Sequence, residues 1–275
     1  MGTPANQKNV IVTGAGSGLG QAIAERLAQA GYAVIATVRD PGRARELTAK
    51  AAAAQPSLRF LPLDLGSPAS IAEFASAAGG VDIVVHNAGY GVFGSIEDVG
   101  ADLVAQQFTV NVQGPLDLTR RLLPGLRARK GQVIWVGSLA GRISLPFQGH
   151  YSATKFAIAA VSDAMRMELK PHGVRVTCVE PGDFSTGFTA ARTVVARADS
   201  AYTAQHDRCL AAVVKQETGA QGPEAVARLV ERLCAAANPP ARVPVGKDAG
   251  LLCLLLRLLP DGLRELIVRK TYAQA

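Results

Sequence analysis

The chain has 275 residues, 48% of them hydrophobic, and a net charge of +7, enough to bury the core of one α/β domain without a linker or repeat. Its longest apolar run, residues 251–259, is interrupted by Arg257 and falls far short of the roughly 20 residues of a membrane span, and residues 1–8 lack the apolar segment of a signal peptide. The basic residues are dispersed with few aromatics between them, and Cys178, Cys209, Cys234 and Cys253 have neither metal nor disulfide spacing; this argues against a nucleic-acid partner and for reduced thiols in a cytoplasmic protein.

Residues 8–13 form a short apolar strand that runs into Gly14-Ala-Gly-Ser-Gly-Leu-Gly20, and residues 21–30 have helical periodicity, ended by Gly31. A strand, a glycine turn and a helix N-terminus in that order make an anion site, because free amides and the helix dipole face a phosphate. The spacing G-x-G-x-x-G does not fit, since its third glycine would fall on Leu19. Residues 32–38 are a second strand, apolar apart from Thr37, as expected of a buried parallel strand. An acid just past it would hold a ribose hydroxyl pair, whereas an arginine would accept a 2′-phosphate. Arg39, helped by Arg43, is the expected phosphate partner. Asp40 is its rival as a ribose ligand, although Asp40-Pro41 also reads as a helix cap and first-turn proline.

Residues 58–63 are a third strand leading to Asp64-Leu65, a helix follows Ser67-Pro68, and residues 81–86 are a fourth strand leading to Asn87-Ala-Gly89. His86 reads as a strand-end hydrogen-bonder rather than a catalyst. A long helix over residues 101–129 carries Asn111, a poor helix former whose presence hints at a site role. Residues 132–138 are a strand ending at Ser138, and a helix from Tyr151 to about residue 172 follows. On it Tyr151 and Lys155 stand four residues apart on one face, and an ammonium beside a phenol lowers its pKa toward acid/base use. Residues 173–179 are the sixth strand and lead to Pro181-Gly182 and Thr186. Residues 187–222 mix helix and loop without assignable elements, 223–236 are a helix, and 242–245 are an edge strand. Two leucine-rich helical segments, broken at Pro260-Asp261-Gly262, close the chain. Strands alternating with helices imply a doubly wound parallel sheet of order 3-2-1-4-5-6-7, a single domain over residues 1–275 with a helical extension over about 247–275.

The glycine loop, Asp64, Asn87-Ala88-Gly89, Asn111, Ser138, Tyr151-x-x-x-Lys155 and Pro181-Gly182 occur in the order of the short-chain dehydrogenase/reductase family, which the chain resembles over about residues 8–246. The resemblance implies a Rossmann-type NAD(P)(H) oxidoreductase acting on carbonyl/alcohol pairs without a metal. Gly14, Gly18 and Gly20 would line the pyrophosphate, with Gly16, Ser17 and Leu19 in the same loop. Asp64, with Leu65, would meet the adenine. Asn87, Ala88 and Gly89 would lie beneath the adenosine ribose, and Pro181, Gly182 and Thr186 would lie by the nicotinamide, Thr186 reaching its carboxamide. Ser138 and Tyr151 would hold the substrate oxygen, Tyr151 giving its proton. Lys155 would hold the nicotinamide ribose, and Asn111 would hold a water linking Lys155 to solvent. Arg39 then points to NADP(H) over NAD(H).

A narrower resemblance, carried by residues 36–40, Leu145-Pro-Phe147, Lys155-Phe-Ala157 and the tail, is to the branch holding 17β-hydroxysteroid and retinol dehydrogenases. It implies a bulky apolar alcohol or ketone, steroid-, retinoid- or long-chain-like. Tyr90, Phe93, Phe147, Phe184 and Phe188 follow strands at the cofactor end and are the expected substrate walls, with Gln148 and His150 the nearest polar groups. A 3-oxoacyl-thioester reductase of lipid synthesis and a non-catalytic NADP(H)-binding sensor are the alternatives. A homodimer or homotetramer through the helices of Asn111 and Tyr151 is expected. Residues 251–256, too hydrophobic to lie exposed, are open to three readings: extra core, a lid on the pocket, or a surface docking on a membrane or subunit. Arg257, Arg264, Arg269 and Lys270 suit the last with an anionic lipid.

Overall fold

Runs of Val and Ile without charged residues become strands buried on both sides. In the computed structural model residues 7–272 are described, except the side chains of residues 189, 190, 256 and 257; the readings of residues 1–6 and of the Leu256 and Arg257 side chains lie outside them. The first half comprises β1 (Asn9–Val12), α1 (Gly18–Gln29), β2 (Ala33–Val38), α2 (Pro41–Ala54), β3 (Leu58–Pro62), α3 (Pro68–Ala77), β4 (Ile83–His86), β5 (Val92–Phe93), α4 (Ala101–Phe108) and α5 (Gly114–Ala128). The second comprises β6 (Gln132–Val136), α6 (Gly149–Leu169), β7 (Arg175–Pro181), α7 (Phe188–Ala191), β8 (Thr193–Val194), α8 (Thr203–Thr218), α9 (Glu224–Ala235), β9 (Arg242–Val245), α10 (Ala249–Leu258) and α11 (Asp261–Thr271).

Seven strands pair in the order β3-β2-β1-β4-β6-β7-β9, all parallel. This is the expected 3-2-1-4-5-6-7 arrangement, because β5 and β8 form a separate two-stranded pair. Successive side chains of a strand point to opposite faces, and β1 shows it. Val10 and Val12 join the core beneath α1 and α9, with Ile23, Leu27 and Val230. Ile11 joins the core beneath α3, α5 and α6, with Phe74, Leu118 and Met165. The four cysteines are all buried, with no disulfide among them.

Three local structures differ from the sequence reading. The helix expected over 101–129 is interrupted by a π turn, Thr109–Gln113. Asn111 sits in it with its amide spent on the loop after β4: Oδ1 accepts from the Tyr90 amide (3.0 Å) and Nδ2 donates to the Tyr90 carbonyl (2.9 Å) and Thr154 Oγ1 (3.2 Å). The unassigned stretch contains α8, whose apolar stripe (Cys209, Val213) packs on Phe93. On α10, Ala249 and Cys253 are buried, while Leu251, Leu252, Leu254 and Leu255 are exposed, 58% in the case of Leu251. Spaced four apart, Ala249 and Cys253 give α10 one narrow inward stripe, so this helix is not extra core.

Candidate active site

The carboxyl ends of the parallel strands surround a cavity of about 270 Å³, the place where open α/β sheets bind ligands. Its floor is a knot between the ends of β1 and β4. Thr13 Oγ1 accepts from the Asn87 and Ala88 amides (3.0 and 3.1 Å), and Asn87 Nδ2 donates to the Thr13 and Gly14 carbonyls (3.0 Å each). Glycine is needed twice here. Gly14 has φ +64°, and a Cβ on it would come within 2.7 Å of Ala88 Cα; a Cβ on Gly20 would strike the Gly14 carbonyl and the Asn87 side chain. Ser17 caps α1 in extended conformation without a side-chain hydrogen bond to the helix. The α1 N-terminus thus meets the cavity without a side-chain cap, a cradle that fits a pyrophosphate.

The opposite wall comes from β6 and α6. Ser138, just past β6, accepts from the Ala140 amide (3.0 Å) and shares a hydrogen bond with the Tyr151 phenol. Lys155 lies one helical turn on; its Nζ donates to the Val136 carbonyl (3.1 Å) and stands 5.6 Å from the Tyr151 ring centroid. Burial dominates both groups. It pushes the Tyr151 phenol up to about 12 against the relief given by Ser138, and pulls the Lys155 ammonium down to about 8. The expected lowering of the phenol by Lys155 does not appear in the protein alone: Ser138 and Arg192 lower it, and burial outweighs them. The phenol is a firmly protonated donor.

One cavity unites Gly14, Ser17, Gly18, Leu19 and Gly20, residues 87–89, Ser138, Tyr151 and Lys155, and Pro181, Gly182, Phe184, Thr186 and Phe188. Several expected site residues lie outside its wall. Gly16 packs under Val38, a Cβ there approaching Cγ1 at 2.9 Å. Arg39 and Asp64 follow the neighbouring strands β2 and β3, Arg39 exposed and Asp64 accepting from the Gly66 amide (2.8 Å), while Leu65 is core. Asn111 and Tyr90 stand behind the wall as the clamp described above. Phe93 and Phe147 stack on each other (centroids 5.9 Å apart) in the small core under α8, so they back the cavity rather than line it. Of the two polar candidates, Gln148 lines the cavity and His150 does not. His86 is buried, with Nε2 2.7 Å from Thr119 Oγ1 and its ring stacked on Trp135 at 4.4 Å, and burial drops it to about 3; it is a neutral core group.

The sequence reading missed the polar end of the cavity: Asp183, Gln216, Glu217 and Tyr272. Glu217 pairs with the buried Arg192, whose guanidinium lies 5.6 Å from the Phe188 ring centroid and 5.9 Å from that of Phe93. The Cys209/Val213 spacing of α8 is the signal that would have placed Gln216 and Glu217. Tyr272 sits beyond any motif and had none.

The glycine cradle and the Ser–Tyr–Lys wall face each other across one cavity. The family model for short chain dehydrogenases matches residues 8–195, and the chain belongs to that family as an NAD(P)-dependent dehydrogenase/reductase. It is similar to a 3-ketodihydrosphingosine reductase of Bacteroides thetaiotaomicron, 31% identical over 272 residues (96% of this chain, 97% of the relative). Among solved structures it is similar to a short-chain dehydrogenase from Streptomyces avermitilis (30% identity, TM-score 0.82, 98% of both chains). A metagenomic short-chain oxidoreductase in complex with NADP (28%, TM-score 0.69, 86% of this chain and 96% of that one) is also similar. So is a 3-ketoacyl-(acyl-carrier-protein) reductase from Brucella melitensis complexed with NADH (25%, TM-score 0.72, 86% and 96%).

The cradle makes a prediction. Gly20→Ala should abolish dinucleotide binding in a fluorescence titration while far-UV circular dichroism keeps its wild-type shape, because the added methyl displaces the Gly14 carbonyl and the Asn87 side chain. Wild-type affinity in this variant would mean that the loop does not hold the pyrophosphate.

Proposed function

We propose that the chain is an NADP(H)-dependent oxidoreductase that interconverts a carbonyl and a secondary alcohol on a bulky apolar substrate, a long-chain ketone before a steroid or retinoid. The observation that carries it is the Ser138–Tyr151–Lys155 wall facing the glycine cradle across one cavity. A reduced nicotinamide held by the glycine cradle would supply the hydride for the carbonyl carbon. Tyr151, protonated across the working pH range, gives its proton to the carbonyl oxygen, and the Ser138 hydroxyl donates to the same oxygen as charge develops. Lys155 is anchored by Val136 and has ammonium donors left for the nicotinamide ribose. Leu145, Phe184 and Phe188 supply apolar wall. Asn111, its amide engaged with Tyr90 and Thr154, supports the site by fixing the loop after β4, and its Oδ1 keeps a second acceptor position for a water that links Lys155 to solvent.

The long chain is favoured by two things. The relative from Bacteroides is named for a ketone of a sphingoid lipid. Asp183, Gln216 and Glu217 also give the cavity a polar end beside its apolar wall, which suits an amphiphile better than a uniformly apolar ring system. Exposed Phe156 and Met167 on α6 support assembly through that helix.

NADP(H) preference rests on the end of β2. Arg39 is exposed and has no ion pair among the described residues, whereas Arg43 is held by Glu46 (2.7 Å) and Asp40 caps α2 by accepting from the Arg43 amide (2.6 Å). That supports Arg39 as the partner of a 2′-phosphate and gives Asp40 a structural role as a cap. A charge-assisted contact contributes roughly 1.5–3 kcal/mol. Arg39→Ala should therefore weaken NADPH about ten- to hundred-fold and leave NADH unchanged; equal use of both cofactors by the wild type would refute the assignment.

For the chemistry, Tyr151→Phe should lower kcat for ketone reduction by about 10²–10⁴-fold with NADPH affinity retained. Full turnover with cofactor bound would exclude Tyr151 as the proton donor.

A further inference from the structure

Twelve large apolar side chains are exposed among the described residues, and eight of them lie on α10 and α11. The other four, Ile96, Phe156, Met167 and Val194, are scattered, so the patch is a property of the tail. On α11 the half-buried residues Arg264, Val268 and Tyr272 follow one stripe, while Leu263, Leu266, Ile267 and Lys270 are exposed along the opposite arc. On α10 the exposed set is Leu251, Leu252, Leu254, Leu255 and Leu258. Apolar side chains exposed in this number on two consecutive helices are covered by something in the working state.

We infer that α10 and α11 lie flat on an anionic lipid bilayer. The length of the helices fixes how they meet a bilayer, and two observations favour a bilayer over a second copy of the chain. No helix among the described residues is long and apolar enough to cross a membrane, and these two have 10 and 11 residues, so they meet lipid side-on, as interfacial helices do. Residues 247–272 carry Lys247, Arg257, Arg264, Arg269 and Lys270 against Asp248, Asp261 and Glu265, in a chain of net charge +7; Arg264 pairs with Asp261 and Arg269 with Glu265, which leaves Lys247, Arg257 and Lys270 against Asp248. That excess complements anionic headgroups, whereas two copies meeting through this face would bring like charges together. Lys270 stands within the leucine arc of α11; the core of a protein interface disfavours lysine, while at a bilayer its stem lies along the acyl boundary and its ammonium reaches the headgroups.

The same helix ties the surface to the cleft. The inner stripe of α11 ends at Tyr272, which lines the cavity, and the Thr271 carbonyl accepts from Gln216 Nε2 (3.3 Å), another lining residue. One side of α11 faces the lipid and its end closes the cavity, so an apolar substrate enters from the bilayer without crossing water. This last step rests on the reading of the cleft as a ketone site; the docking itself does not.

The test is co-sedimentation of the full chain with vesicles of phosphatidylcholine alone and of phosphatidylcholine with phosphatidylglycerol. Wild type should pellet with the mixed vesicles and more weakly with the neutral ones. Leu254→Glu/Leu266→Glu should weaken binding to both by more than about tenfold. Arg269→Glu/Lys270→Glu should weaken binding to the mixed vesicles alone and reduce its salt dependence. These side chains are exposed, and an unchanged melting temperature checks the fold; if the leucine variant misfolds, the charge variant still decides. Absence of wild-type binding to either vesicle, or equal binding by wild type and both variants, overturns the inference. So does a wild-type dimer in light scattering that the leucine variant splits into monomers. Vesicle binding without turnover of any ketone would instead count against the proposed chemistry.

Discussion

Lys155 carries its ammonium into a site only 5% exposed, where the Val136 carbonyl meets it at 3.1 Å. Desolvation favours the neutral amine, and the drop from 10.5 to about 8 corresponds to about 3 kcal/mol of lost ammonium solvation. The phenol beside it is pressed the other way, toward the neutral form, by the same burial. On the proposed reading, a carbonyl oxygen placed there meets a protonated phenol, and the cation one turn away offsets the charge left behind when the proton is given up.

The fold keeps that pair in place by anchoring everything around it to strand ends. α6 packs on β7 and the core beneath it through Ile158, Met165 and Leu169, which turns Tyr151 and Lys155 toward the end of β6. Across the cleft, the Thr13–Asn87 knot fixes the glycine loop to the same sheet. Asn111 locks the loop after β4 from behind, at the cost of a regular helix between α4 and α5. The two halves of the site are therefore set by one rigid sheet, and the rest of the cavity wall comes from α7, α8 and Tyr272 at the end of α11.

What the sequence revealed follows the same division. Central strands were legible because parallel strands buried on both faces are written as unbroken Val/Ile runs, and the Tyr151/Lys155 face because helical spacing is four residues. Phe93 and Phe147 were misassigned for a physical reason. Their place after β4 and β6 told which end of the sheet they occupy, but pairing of β5 with β8 turns Phe93 inward onto Cys209 and Val213. Asn111 stood out as a poor helix former, yet nothing local said that its amide would clamp Tyr90. The leucines of α10 reveal an apolar helix and not its environment, since burial depends on what lies opposite. Tyr272 reaches the cavity only through the packing of a helix that no motif ties to the site.

The pH dependence of kcat/KM for ketone reduction tests the buried pair most directly. Lys155 is charged below about 8 and neutral above it, whereas Tyr151 keeps its proton to about 12. Reduction should be level on the acid side and decline as pH rises through about 8, approaching tenfold per unit as the ammonium is lost. A profile that stays flat well above that value, with cofactor saturating throughout, would contradict the role given to Lys155 and with it the account of the site.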